Sequence, residues 1–137
     1  MAVQLSILCR DAKLNAIETF AGASCALEIR TGAQPANCQT AGSGTILATI
    51  NLPADWANAA SGGSKTFIAT WQDASADNPG VAAHFRIYSS QATKDQTTCF
   101  MQGSVGQGTG DLSLDNTTIA AGQVVTITQF TLTEANS

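Results

Sequence analysis

Residues 122–133, GQVVTITQFTLT, decide how this chain folds. The stretch is dense in β-branched and aromatic residues, with polar residues interleaved, and reads as a strand. Val125 and Ile127 share one parity, whereas Phe130 and Leu132 fall on the other. Because a strand alternates faces with every residue, the two pairs would point in opposite directions. A bulge near Thr128–Gln129 inserts one residue and returns both pairs to a common core. Alternatively, the strand passes from one sheet to a second at a sandwich corner.

Working back toward the N-terminus, the two-residue period recurs. Over 97–105, Cys99, Met101 and Val105 share a face. Over 81–89, Val81, Ala83, Phe85 and Ile87 oppose a polar face of His84, Arg86 and Tyr88. Phe67, Ala69 and Trp71 point inward from 65–72, and Ile46, Ala48, Ile50 and Leu52 from 45–52. Leu27 and Ile29 do the same in 25–30. Between these runs lie turn signals: Pro53, a hinge-like Ser61-Gly62-Gly63-Ser64, the segment DASADNPG at 73–80, and glycines 103, 106, 108 and 110. Thr31 to Gly44 is a long loop, and a short segment follows at 111–114.

Before residue 22 the period is helical. Ser6 serves as N-cap, and Cys9, Ala12, Ala16, Ile17 and Phe20 recur at three- and four-residue steps. Arg10, Asp11, Lys13, Asn15 and Glu18 take the wet positions, and Gly22 ends the helix. The apolar stripe must bury against its own domain or against a neighbour, with the former the leading expectation. The architecture predicted is mainly β: a jelly-roll-like antiparallel β-sandwich over 25–133 with an N-terminal α-helix over 6–21. Residues 1–137 form a single domain.

The 137 residues are 44% hydrophobic and only 12% charged, about half the usual charged share, with net charge −4. Small uncharged residues fill the gap, and a surface made of them loses little solvation when a partner covers it. The six cations, Arg10, Lys13, Arg30, Lys65, Arg86 and Lys94, are scattered, which argues against nucleic acid. No apolar run is long enough to span a bilayer. Met1 to Arg10 lacks the features of a secretion signal, so synthesis in the cytoplasm is expected.

Chemistry finds little purchase. Cys9, Cys25, Cys38 and Cys99 lack zinc-site spacing, and His84 is the single histidine. These cysteines read as small buried hydrophobes, with a disulfide open if the surroundings are oxidising. His84, on a polar strand face with no nucleophile in an elbow pattern, reads as a surface or hydrogen-bonded residue. Asp111 and Asp115 fit a turn better than a calcium loop. GSVGQGTGD at 103–111 lacks the Lys-Ser/Thr of a phosphate loop and reads as a flexible hairpin connection. No catalytic residue, metal ligand or cofactor is expected, and the chain is not expected to be an enzyme. Trp71 belongs to the core, while Trp56 is either a cap over it or an interface anchor.

Three stretches carry a resemblance: LSILCRDAKLNAIETF (5–20), LEIRTGAQPANCQTAGSGTILATINLP (27–53) and DLSLDNTTIAAGQVVTITQFTLT (111–133). Together they resemble small virion structural proteins of tailed double-stranded-DNA bacteriophages, most closely the capsid cement or decoration proteins. That resemblance implies a β-sandwich on the outside of the expanded capsid, cementing neighbouring capsomers. It implies the major capsid protein as partner, self-association as a dimer or small oligomer, and assembly in the bacterial cytoplasm. It transfers no catalytic or ligand residue. The contact surface is placed on the opening helix and the 31–44 loop, with Arg30, Gln34, Pro35, Asn37 and Trp56 as interface residues. The competing reading is a tail or fibre module that binds a receptor glycan through Trp56, or another head–tail component.

Overall fold

A computed structural model describes residues 3–134; residues 1–2 and 135–137 lie outside the description. The helix α1 (Ile7–Ala21) comes first, then β1 (Ala26–Arg30), β2 (Ile46–Asn51), β3 (Ser64–Thr66), β4 (Gln72–Asp73) and β5 (Gly80–Val81). β6 (His84–Tyr88), β7 (Cys99–Gly106), β8 (Leu112–Leu114), β9 (Thr118–Ile119) and β10 (Val125–Thr133) complete the chain. The fold is mainly β with one N-terminal helix. Eight strands join a curled mixed sheet in the order β2-β1-β6-β7-β8-β10-β3, with β4 also on β10, while β5 and β9 pair separately.

β10 closes the structure, and the irregularity expected in it is present. Its register on β8 shifts between Ile127 and Gln129, so Val125, Ile127 and Phe130 are all buried. The same strand pairs with β4 through Val125 and Thr126 and with β3 through Thr131 to Thr133. The strand anticipated over 65–72 is broken in two. Ala69 has φ 66°, a left-handed conformation that disfavours side chains bearing a Cβ and ends regular pairing. Phe67 and Trp71 still reach the core, but Ala69 is exposed.

The core is threaded by aromatic rings. Trp71 stands 5.0 Å from Phe67, 5.7 Å from Phe130 and 6.3 Å from Trp56, ring centre to ring centre. Trp56 also lies 6.3 Å from Phe100, and Phe85 meets Phe130 edge-on at 5.6 Å. Tilted and edge-on pairs of this kind add to the burial of the rings themselves. Both tryptophans are 0% exposed. Trp56 is therefore a core residue and not an interface anchor: the apolar segment after Pro53 folds inward and carries it beneath the sheet.

The glycine run does not make a hairpin. β7 and β8 pair in parallel, Val105 with Leu112 and Gly106 with Ser113, although only five residues separate them. A parallel neighbour ordinarily needs a crossover of a dozen or more residues. Here the chain recoils tightly through Gly108 (φ 70°) and Gly110 (φ 80°). A Cβ on Gly110 would sit 2.9 Å from the Gly106 nitrogen, so the backbone passes where no side chain fits. Asp111 braces the recoil, Oδ2 accepting from the Ser104 N–H at 2.9 Å and its hydroxyl at 3.0 Å.

The helix boundaries follow the sequence, with Ser6 Oγ accepting from the Cys9 N–H and the Gly22 N–H donating to the Glu18 carbonyl. Its orientation does not. Leu14 and Ala21 are buried and Ile17 packs at the core edge, but around them the docked face is polar. The Lys65 side chain, 1% exposed, pairs with Glu18 Oε2 at 2.7 Å and also donates to Asn15 Oδ1 at 2.9 Å and the Asn58 carbonyl at 2.8 Å. Asp11 Oδ1 accepts from the Gly63 N–H at 2.7 Å. The glycine pair at 62–63 is thus a tight turn with both residues at positive φ, pinned to the helix rather than hinge-like.

Two stability consequences follow from these contacts. Lys65→Ala removes a buried cation and strips Glu18 and the Asn58 carbonyl of its bonds, while Asn15 Oδ1 keeps the Ala60 N–H, so urea unfolding should show a loss of about 2–4 kcal/mol. Gly110→Ala should cost about 2 kcal/mol by the same measurement, from its φ and the close backbone together.

Candidate functional site

Strand β6 is the centre of the polar interior. The alternation predicts a wet face for His84, Arg86 and Tyr88, yet they are 1%, 0% and 1% exposed. Loop 31–44 folds across that face and supplies backbone carbonyls to it. Arg86 Nη2 donates to the Cys38 carbonyl at 2.6 Å, and Gln102 Nε2 to the Pro35 carbonyl at 2.8 Å. Arg30, ion-paired with Glu28 at 2.9 Å, donates to the Ser43 carbonyl at 3.2 Å. The Tyr88 hydroxyl donates to Glu28 Oε1 at 2.5 Å, and burial first, then this carboxylate, pushes its ionisation upward. Carbonyls suit this task because they accept without introducing a further charge into a dry layer.

His84 is held in one form by the same loop. Its Nδ1 lies 2.9 Å from the Gly32 carbonyl oxygen, which only accepts, so Nδ1 carries the hydrogen. Nε2 is buried without a hydrogen-bond partner, and protonating it would place a third cation beside Arg30 and Arg86. Burial chiefly, with these cations, holds the imidazole below its ordinary value, against the pull of the Gly32 carbonyl. Of the two expectations for His84, a surface or a hydrogen-bonded residue, the second holds: it is a neutral, hydrogen-bonded residue of the interior.

The interface residues expected from the sequence divide. Arg30 and Pro35 are consumed internally, the first by Glu28 and Ser43 and the second by burial against the sheet. Gln34 and Asn37 are exposed on the loop. Trp56 is in the core. Asn37 and the helix residue Phe20 meet at the rim of an open cleft of about 870 Å³, walled by Cys38, Gln39, Thr97, Thr98 and Cys99. Opening helix and long loop thus come together, although nothing in their spacing along the chain announces it.

The outer face of α1 was legible as a pattern but assigned to the wrong side. Leu8 is 81% and Phe20 77% exposed, and Cys9, Ala12, Ala16 and Thr19 between them are exposed too. Of the stripe expected in the core, Cys9, Ala12, Ala16 and Phe20 are exposed and only Ile17 packs at the core edge, while Leu8 and Thr19 join the outer face. The stripe points outward because the charged residues on the opposite face bind Lys65 and the Gly63 turn, which plain hydrophobic periodicity does not register. The result is an uncharged strip with large apolar side chains in water, the kind of surface that marks an interaction site.

No group of three or more metal-binding side chains occurs among the described residues, and no described helix is long and apolar enough to cross a membrane. Comparison with protein-family models, curated proteins and solved structures finds no match for this chain.

The buried imidazole has a measurable signature. Because the folded state resists protonation, the unfolded chain takes the proton first as pH falls below the ordinary histidine value of 6.5. Stability should therefore be full above that pH and decline as pH falls below it, by up to roughly 1.4 kcal/mol per pH unit. Urea titrations of the wild type and His84→Gln at several pH values should show this slope in the former and a flatter one in the latter.

Proposed function

We propose that this protein is a structural binding module of the capsid-cement type, which docks on the expanded head of a tailed bacteriophage and bridges neighbouring capsomers. The observation that carries the reading is the outward apolar face of α1, with Leu8 and Phe20 about four-fifths exposed. A helix that turns Asp11 and Glu18 toward its own domain and its leucine and phenylalanine outward is built to be covered. Burying side chains of this size contributes roughly 1.5–3 kcal/mol each, so a single contact is weak. Repetition over a shell, with self-association as a dimer or small oligomer, converts weak contacts into firm attachment. The partner is the major capsid protein, the location the capsid surface, and the curled sheet a jelly-roll-like sandwich carrying the helix on its flank. The resemblance of 5–20, 27–53 and 111–133 to cement proteins supports the same reading.

A glycan-binding tail or fibre module would need an exposed aromatic platform. Trp56, the residue on which that alternative leaned, is enclosed by Trp71 and Phe100. Another head–tail location would use the same helix face on a different protein.

The test is cosedimentation of purified protein with expanded shells that lack it. Wild type should pellet with the shells and raise their resistance to heat. Leu8→Asp and Phe20→Asp, both at exposed positions, should keep the wild-type melting temperature yet bind at least about tenfold more weakly. Absence of wild-type binding, or undiminished binding by both variants, would overturn the proposal.

A further inference from the structure

Two cysteines that the docking surface does not require meet beneath the long loop. Cys38 belongs to loop 31–44 and Cys99 opens β7, and Arg86 gathers both. Its Nε donates to Cys99 Sγ at 3.2 Å while Nη2 holds the Cys38 carbonyl at 2.6 Å. The Cys99 thiol lies close enough to Cys38 to act on its ionisation, and both cysteines are free thiols. Both line the open cleft of about 870 Å³, with Cys38 half-buried and Cys99 8% exposed at its floor. The remaining cysteines are placed differently: Cys9 lies on the outer face of α1, and Cys25 is buried and donates to the carbonyls of Ala21 and Gly22.

We propose that Cys38 and Cys99 form a redox site, a dithiol that a small disulfide of the glutathione type enters through the cleft and converts to an intramolecular disulfide clamping loop 31–44 onto β7. The Cys38 thiolate attacks one sulfur of the incoming disulfide, forming a mixed disulfide and releasing one thiolate. Cys99 gives up its proton to the released thiolate and attacks Cys38 Sγ. The mixed bond breaks and the second small thiol leaves. Two protein thiols are oxidised, one small disulfide is reduced to two thiols, and the protons lost by the cysteines are those the leaving thiolates take up. Burial first and then the neighbouring Cys99 push Cys38 up to about 11, against Arg86, so the dithiol reacts slowly at neutral pH.

The clamp closes a loop of about 60 residues over the layer that buries His84 and Arg86, and so stabilises the fold by restricting the unfolded chain. A particle leaving a reducing cytoplasm would gain this clamp without any change in the protein's contacts. The inference does not depend on what the helix binds, because it concerns the isolated chain.

The test treats full-length protein carrying Cys9→Ser with oxidised glutathione at about pH 8.5, where more thiolate is present. Peptide mapping should find Cys38 joined to Cys99, with the intact mass reduced by two hydrogens. The melting temperature should rise by on the order of 10 °C and return on treatment with dithiothreitol. Cys38→Ser, altered in the loop and not in a strand, should show no such rise. A stable glutathione adduct at Cys38, pairing through Cys25, or no product at all would overturn the proposal. The mapping result stands whether or not Cys38→Ser folds.

Discussion

Strand β6 is buried on both faces, and the rest of the molecule answers to that constraint. One face delivers Phe85 and Ile87 to the aromatic core, and the other delivers His84, Arg86 and Tyr88 to a dry polar layer. A buried guanidinium without partners would be far too costly to keep, so something must bring acceptors to it. Loop 31–44 brings the Cys38 carbonyl to Arg86, and the carbonyls of Gly32, Pro35 and Ser43 to His84, Gln102 and Arg30. That requirement accounts for the length of the loop and for its glycines. A Cβ on Gly42 would fall 2.9 Å from the Arg30 guanidinium, and Gly44 combines φ 71° with near contact to the Thr31 carbonyl.

The same economy of charge shapes the helix. Arg10, Asp11, Asn15 and Glu18 all face the domain, and Lys13 reaches Glu134. With Glu28, Arg30, Lys65 and Arg86 also engaged internally, much of an already small complement of charge is spent inside the fold. The surface that remains is richer in small neutral and apolar groups than the composition alone implies. Such a surface is easy to desolvate, which suits a module whose work is to be covered by others.

Much of the local structure was legible in the residues themselves. Ser6 and Gly22 bound the helix because capping depends on side chains and backbone freedom at those positions. The parity clash in 122–133 demanded an irregularity, and the register shift lies between Ile127 and Gln129. What was not legible came from residues whose role depends on distant partners. Lys65 shares the inward parity of Phe67 and Trp71, but what pairs its charge is unreadable until Glu18, Asn15 and the Asn58 carbonyl surround it. Asn37 and Phe20 share a cleft rim only because the loop and the helix end converge there.

By itself, then, the sequence determined a mainly β chain with one capped N-terminal helix, a bulged final strand and a surface poor in charge. These are properties of period, capping and composition, which act between near neighbours. The tertiary structure alone decided which helix face turns inward, that the polar face of β6 is roofed, that Trp56 lies in the core and that Cys38 meets Cys99. The first two are matters of which distant group satisfies a buried charge or hydrogen bond, and the others of which distant side chains pack together. Hydrophobic periodicity carries no information about such partners, because it records only how apolar a side is and not what waits across from it.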